Sequence, residues 1–220
     1  PIGSYTQMGR IRLGRRDELQ QRLVKEFVPL ASLDSLVFGA WDVFPDNAYE
    51  ASVKAAVLDR TLLDQIREPL EAVVPMKAVF DKEYVRNLDG ENVKQGANKF
   101  ELAEALREDI RQFKAKHDCD RLVMVWCAST EVYETPTAVH QTVEAFEAGM
   151  KENAPEIAPS QIYTYAAIME GVPFANGAPN LSADVPALMA LAKERGVAIS
   201  GKDFKTGQTL MKTIVAPGLR

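Results

Sequence analysis

The run Leu122-Val-Met-Val-Trp-Cys127 has no polar residue anywhere along it. A strand with one wet face alternates apolar and polar side chains, so an unbroken apolar run of this length predicts a parallel strand covered on both faces. Parallel strands cannot be joined by tight turns; they need long crossovers, usually helices. The rest of the chain supplies that rhythm. Further runs rich in β-branched residues read as strands at 35–43, 77–80 and 196–200, and helical patterns fall at 17–27, 52–66, 99–116, 137–152 and 183–195. In 99–116, Leu102, Ala105, Leu106, Ile110 and Phe113 recur close to the helical period, with charges on the opposite face. The alternation predicts an α/β fold around a largely parallel sheet. The polar, irregular stretch 81–95 reads as an excursion over that sheet.

Composition narrows the function classes. With 220 residues, 46% hydrophobic and 26% charged, the chain fits a soluble globular protein of one domain, or one large domain and part of another. A net charge of −5 argues against a nucleic-acid-binding surface. No apolar run reaches the ~18 residues that cross a bilayer, and no signal-peptide pattern opens the chain. Cys119 and Cys127, flanking an apolar run, read as reduced, buried thiols of a cytoplasmic protein. His117 and His140 are the only histidines, too few for a histidine zinc site and a poor basis for a Ser-His-Asp triad. The start at Pro1 and the end at Arg220, just after a helix-like run, lead us to expect a segment of a larger protein.

Ligands of parallel α/β sheets bind beyond the carboxyl ends of the strands. Three such ends carry suggestive residues. Gly39-Ala-Trp-Asp42 places a carboxylate where it could accept from a ribose diol, or cap the next element. Cys127-Ala-Ser-Thr-Glu131 opens a buried strand into small and hydroxyl-bearing residues, which suits close approach of a cofactor and equally suits a helix start. Pro173-Phe-Ala-Asn-Gly-Ala-Pro-Asn180 is dense in turn residues and follows the apolar run 162–169.

The stretch Gly201-Lys-Asp-Phe-Lys-Thr-Gly-Gln-Thr-Leu-Met-Lys212 follows the last strand and reads as a loop entering a helix near Thr206. Unpaired N–H groups at a helix start favour an anion. Lys205 and Lys212, seven residues apart, project from one helical face. This points to a phosphorylated small molecule, though a solvated lysine-bearing helix start fits the segment equally well. It is not a Walker A loop, and no G-x-G-x-x-G occurs in the chain. A Rossmann domain here would have its first strand and turn before Pro1.

Taken in order, these loops resemble one family, the inositol-3-phosphate synthases, also called myo-inositol-1-phosphate synthases. Gly39-Ala-Trp-Asp42 resembles the family's Gly-Gly-Trp-Asp element, and Cys127-Ala-Ser-Thr-Glu131 its Thr-Ala-Asn-Thr-Glu. Pro173-Phe-Ala-Asn-Gly-Ala-Pro resembles Pro-Phe-Ile-Asn-Gly-Ser-Pro, and Gly201-Lys-Asp-Phe-Lys-Thr-Gly-Gln-Thr resembles Gly-Asp-Asp-Phe-Lys-Ser-Gly-Gln-Thr. Cys127 and Ser129 stand where the family has Thr and Asn, Ala178 where it has Ser, and Lys202 where it has Asp, which puts the side-chain contacts at 127, 129 and 178 in question.

The resemblance implies a Rossmann-like, doubly wound parallel sheet lacking its Gly-rich unit over 1–200, and the start of an α+β catalytic and oligomerisation domain over 201–220. It implies an NAD-dependent isomerase of inositol and phospholipid biosynthesis acting on glucose 6-phosphate, cytoplasmic and homotetrameric, with no nucleic-acid or membrane partner. By position, Asp42, Ala128, Ser129, Thr130, Gly177, Ala178, Asp203 and Thr206 would contact NAD, Asn176 would face substrate, and Lys205 and Lys212 would be catalytic. No residue stands out as a metal ligand; a divalent metal or monovalent cation is left open by the family. The competing readings are an NAD-dependent sugar-phosphate dehydrogenase and a non-catalytic NAD-sensing module.

Overall fold

A computed structural model describes residues 10–12, 21–26, 28–204 and 217. The chain divides into two units, Pro1–Phe38 and Gly39–Arg220. In the first, β1 (Arg10–Arg12) pairs antiparallel with β2 (Gln21–Leu23), Arg10 opposite Leu23, and a 3₁₀ turn follows at Val24–Glu26. The helical pattern at 17–27 is therefore corrected over residues 21–26: pairing with β1 outweighs local helical spacing at 21–23, and only a 3₁₀ turn follows. The remaining residues of that pattern lie outside the described ones.

The second unit is α/β with parallel pairing throughout its named strands. β3 (Trp41–Asp42) pairs with β4 (Met76–Lys77), Trp41 opposite Met76. β5 (Met124–Trp126), β6 (Phe174–Asn176) and β7 (Ile199–Ser200) form a second parallel sheet in that order. Between them run α1 (Ala48–Ala55), α2 (Arg60–Gln65), α3 (Arg67–Glu71), α4 (Lys99–Lys116), α5 (Val143–Lys151), α6 (Pro159–Met169) and α7 (Pro186–Arg195).

The ends of these elements follow from their residues. Asn98 caps α4, its side chain accepting from Glu101 N at 2.9 Å, and Lys114 and Lys116 sit in the last turn, where cations suit the helix dipole. The expected helix at 52–66 is broken in two, because Ala56 takes a left-handed conformation (φ 52°) after α1 and Asp59 caps a new helix through Thr61 N. The pattern at 137–152 is likewise a 3₁₀ turn at Ala138–His140 and then α5, restarted by the cap of Thr142 on Ala145 N. α7 opens on Pro186, which has no N–H to leave orphaned, and closes on Gly196 at φ 65°.

β6 lies in the stretch read from sequence as a turn-dense loop. The strand expected at 35–43 shrinks to Trp41–Asp42, because only these residues meet a partner strand. The excursion at 81–95 is irregular as expected, apart from a parallel bridge between Ala78 and Val93.

The centre of the unit is α6, whose residues from Pro159 to Ile168 are all buried. α4 packs against it with Ala103, Leu106 and Ile110, and Phe146, Met150, Phe174 and Leu188 complete the core. Tyr163 of α6 reaches three strands' worth of structure. Its ring lies 5.4 Å from that of Trp41 and 5.3 Å from that of Trp126, and its hydroxyl accepts from Val79 N at 2.8 Å. Trp41 is also held from α4: its Nε1 donates to Asp109 at 2.7 Å, and Lys94 pairs with the same carboxylate oxygen at 2.8 Å. No helix among the described residues is long and apolar enough to cross a membrane.

Leu106 is fully buried at the interface of α4 with α6. Leu106→Ala is expected to lower the unfolding free energy by about 3 kcal/mol through lost transfer energy and a residual cavity, read as a shift of the urea midpoint at unchanged slope.

Candidate cofactor site at the strand ends

The carboxyl ends of β3 and β5 open on one cavity of about 420 Å³. Residues 39–44 form one wall, residues 122–129 the other, and Tyr163 lies between them. The lining is mainly apolar, with Asp42, Ser129 and Glu131 among its few polar groups. An apolar pocket with a few convergent polar groups, at the strand ends of a parallel sheet, is the usual setting for a nucleotide cofactor.

Asp42 is exposed at the end of β3, with Oδ1 accepting from Phe44 N at 3.0 Å. Ala128 and Ser129 follow β5 on the cavity wall, and both are exposed. Thr130 is exposed as well, and with Ser129 faces a second recess closed by residues 84–88. That turn was not anticipated as part of a site. Cys127 is exposed, and Cys119 is half-buried, which corrects the expectation of buried thiols. Cys127 stands one residue past β5, where the chain leaves the core.

Gly177 and Ala178 follow β6. Gly177 N donates to Trp126 O at 2.8 Å, which lays the loop after β6 alongside the one after β5. A Cβ on Gly177 would come within 2.6 Å of Trp126 O, so only glycine fits this approach. Asn176 is fully buried: its Nδ2 donates to Asn180 O at 2.8 Å, and its Oδ1 accepts from Ala178 N at 2.9 Å. Its amide is thus engaged inside its own loop.

The next segment folds back on this loop. Phe204 N donates to Gly177 O at 3.1 Å, and Gly201, at φ 87°, lies so close to Asn176 O that a Cβ would stand 2.3 Å from it. Asp203 is half-buried at φ 84° beside this contact. Lys202 pairs with Asp184 at 3.5 Å. Lys205, Thr206 and Lys212 lie outside the described residues. Among the described residues no group of His, Cys, Asp or Glu has the arrangement of a metal site.

Beneath both loops runs a buried polar chain that the sequence did not disclose. Glu131 is 5% exposed. Its Oε1 accepts from Ser160 N at 2.9 Å, and its Oε2 from Ser160 Oγ at 2.5 Å and Asn180 Nδ2 at 3.3 Å. Asn180 Oδ1 accepts in return from Glu131 N at 3.0 Å. The sequence hint was Ser-Thr-Glu as capping chemistry. Glu131 does satisfy an orphan N–H in the first turn of a helix, but of α6, far along the chain.

Burial raises the Glu131 carboxyl to about 7, against the bonds from Ser160 that favour its charged form. In the unfolded chain it ionises near the ordinary glutamate value of 4.5. A raised folded-state value gives stability that is present below the unfolded value and lost as pH rises through the folded one. This group should therefore contribute a fall on the order of 3 kcal/mol between about pH 4.5 and 7. Urea titrations across that range should show Glu131→Gln lacking this component.

A family model of NAD-binding domains, described as myo-inositol-1-phosphate synthase, matches residues 2–218. The chain is 49% identical over 218 residues to inositol-3-phosphate synthase 1 of Bacteroides thetaiotaomicron, covering 99% of this chain and 50% of that protein. With inositol-3-phosphate synthase 1 of Oryza sativa subsp. japonica it shares 38% over 219 residues, 97% of this chain and 43% of that one. The crystal structure of inositol-3-phosphate synthase from Caenorhabditis elegans superposes with a TM-score of 0.86 at 32% identity, covering 98% of this chain and 44% of that one. The chain thus spans about half the length of the curated relatives it matches. The parallel α/β scaffold, the strand-end cavity and a match over nearly the whole chain lead to one conclusion: this chain belongs to the myo-inositol-1-phosphate synthase family.

Proposed function

We propose that this chain is the NAD-binding part of an inositol-3-phosphate synthase that converts glucose 6-phosphate to 1D-myo-inositol 3-phosphate. Residues 1–200 make up the cofactor-binding region, and 201–220 begin the catalytic domain. The observation that carries the reading is the meeting of the β3, β5 and β6 ends: Asp42 and Ser129 line one cavity, and Gly177 is bonded to Trp126 on its wall.

The residues present fit the cofactor. A carboxylate at the end of a parallel strand suits a ribose diol. Ala128 and Ser129 are small enough for a ring and a pyrophosphate to approach the backbone. Trp126 Nε1 is a buried donor on the wall with no partner among the described residues. Asp42 would hold the adenosine ribose, Ala128, Ser129 and Thr130 the cofactor along the loop after β5, and Gly177, Ala178, Asp203 and Thr206 the nicotinamide side. Asn176, expected to face substrate, has its amide engaged within its own loop and would serve the site by holding that loop in place.

Bound in this site, NAD would supply a two-electron oxidant for C5 of glucose 6-phosphate that is regenerated within the same turnover, so that ring closure between C6 and C1 is an isomerisation of zero net redox. The developing oxyanions and the phosphate call for cations in a desolvated place. Lys205 and Lys212 would fill that role, as ammonium groups able to stabilise developing negative charge and to move protons. The protein acts as a cytoplasmic homotetramer.

The full-length protein, incubated with glucose 6-phosphate and catalytic NAD, should form inositol monophosphate by phosphorus NMR with no build-up of NADH absorbance. Accumulating NADH with a keto-sugar product would instead mean a dehydrogenase, and NAD binding with no product would mean a sensor. Lys205→Ala should lower kcat by about 100-fold or more through lost charge stabilisation; full kcat in this variant would remove Lys205 from the mechanism. Asp42→Ala should raise the Kd for NAD by about 10-fold, the loss of a charged hydrogen bond to the ribose, as read by calorimetry.

A further inference from the structure

Among the described residues, Glu131 is the one buried carboxylate beneath the cofactor loops, and it has no part in the chemistry above. Its partners belong to separate pieces of chain: Ser160 to the first turn of α6, and Asn180 to the loop after β6, while Glu131 itself ends the loop after β5. Ser160 is 1% exposed, Asn180 6% and Asn176 0%, so these bonds are sheltered from water. The chain of contacts runs on from Asn180 O to Asn176 Nδ2, and from Asn176 Oδ1 to Ala178 N. One side chain therefore fixes residues 128–130 and residues 177–178 relative to each other and to the core helix.

An ionised carboxylate does this without reorienting any of its partners. Ser160 N–H, Ser160 O–H and Asn180 N–H are three donors converging on one group, and an ionised carboxylate is acceptor-only. An amide in its place would turn N–H groups toward donors. We propose that Glu131 is a positioning residue of the cofactor site, its ionised carboxylate clamping the loop after β5 to the loop after β6 in the spacing that NAD requires. This rests on the NAD-binding reading above.

Protonation would give the carboxyl a hydrogen where it now accepts, loosening one of the three bonds. Few charges face it. Asp81, in the turn after β4, opposes its ionisation. Tyr84 of the same turn is set among Asp81, Glu131, Glu134 and Glu156, which together with burial hold its hydroxyl protonated. α6 presents only Ser160 and Gln161 here, and Gln161 bonds His140. NAD binding by the parent should accordingly strengthen as pH rises through the neutral range.

The test is calorimetric titration of NAD into the full-length protein, Glu131→Gln and Ser160→Ala between pH 5.5 and 8.5, a range chosen as about 1.5 units either side of neutrality. At high pH Glu131→Gln should weaken binding by about 10-fold, as loss of a charged hydrogen bond does, and its Kd should lose the pH inflection. Ser160→Ala removes one donor that favours the charged form, so it should keep the inflection but move it upward. A merely structural role would lower the melting temperature and leave the inflection in place. Parental Kd and inflection in Glu131→Gln, or an unmoved inflection in Ser160→Ala, would overturn the proposal. If Glu131→Gln does not fold, Ser160→Ala decides alone. Failure of the parent itself to bind NAD would overturn the cofactor reading instead.

Discussion

Tyr163 is the contact on which the rest of the structure depends. It sits 4% exposed on a helix with no wet face, and two strands from different sheets lean their tryptophans on the same ring. Neither sheet could place itself alone, since the named strands are two or three residues long. Ladders so short contribute few hydrogen bonds, and isolated strand pairs are marginal in water. What fixes them is the shared apolar floor. Aromatic pairs in tilted or edge-on geometry add about 0.5–1.5 kcal/mol each beyond area burial, and the hydroxyl finds its partner in Val79 N. The cavity at the strand ends is the space left between walls that this residue sets apart.

Local structure was legible where residues close in sequence decide it. α4 coincides with its expected bounds of 99–116, because its period, the Asn98 cap and the terminal lysines all agree. Elements decided by distant partners were not legible. β6 hides in Phe174-Ala-Asn, whose neighbours Pro173 and Gly177 read as turn; it is a strand because Met124 and Ile199 flank it. The hairpin at Arg10–Arg12 and Gln21–Leu23 is the opposite error, a helical spacing overridden by a partner. The break at Ala56 has no Gly or Pro to announce it.

The site divides in the same way. The rule that ligands lie beyond parallel strand ends found Asp42 and Ser129 at the cavity without knowledge of the fold. It could not find Glu131, Ser160 and Asn180 as a unit. Glu131 and Asn180 are 49 positions apart, and Glu131 and Ser160 are 29, and none of the three is unusual where it stands. Nor could it tell that Asn176, at the end of β6, turns its amide inward. Polar residues in a turn read as available for ligands, yet burial obliges them to satisfy one another first.

The contact between Gly201 and Asn176 joins two regions that would otherwise be considered separately. Asn176 O approaches Gly201 more closely than any side chain there would permit, and Phe204 N is tied to Gly177 O. The chain then passes directly into Lys205. Whatever steadies the loop after β6 thereby steadies the base from which the lysine-bearing segment departs. Free-energy coupling between two sites is reciprocal: a molecule that tightens one end of such a link is itself held more tightly when the other end is occupied.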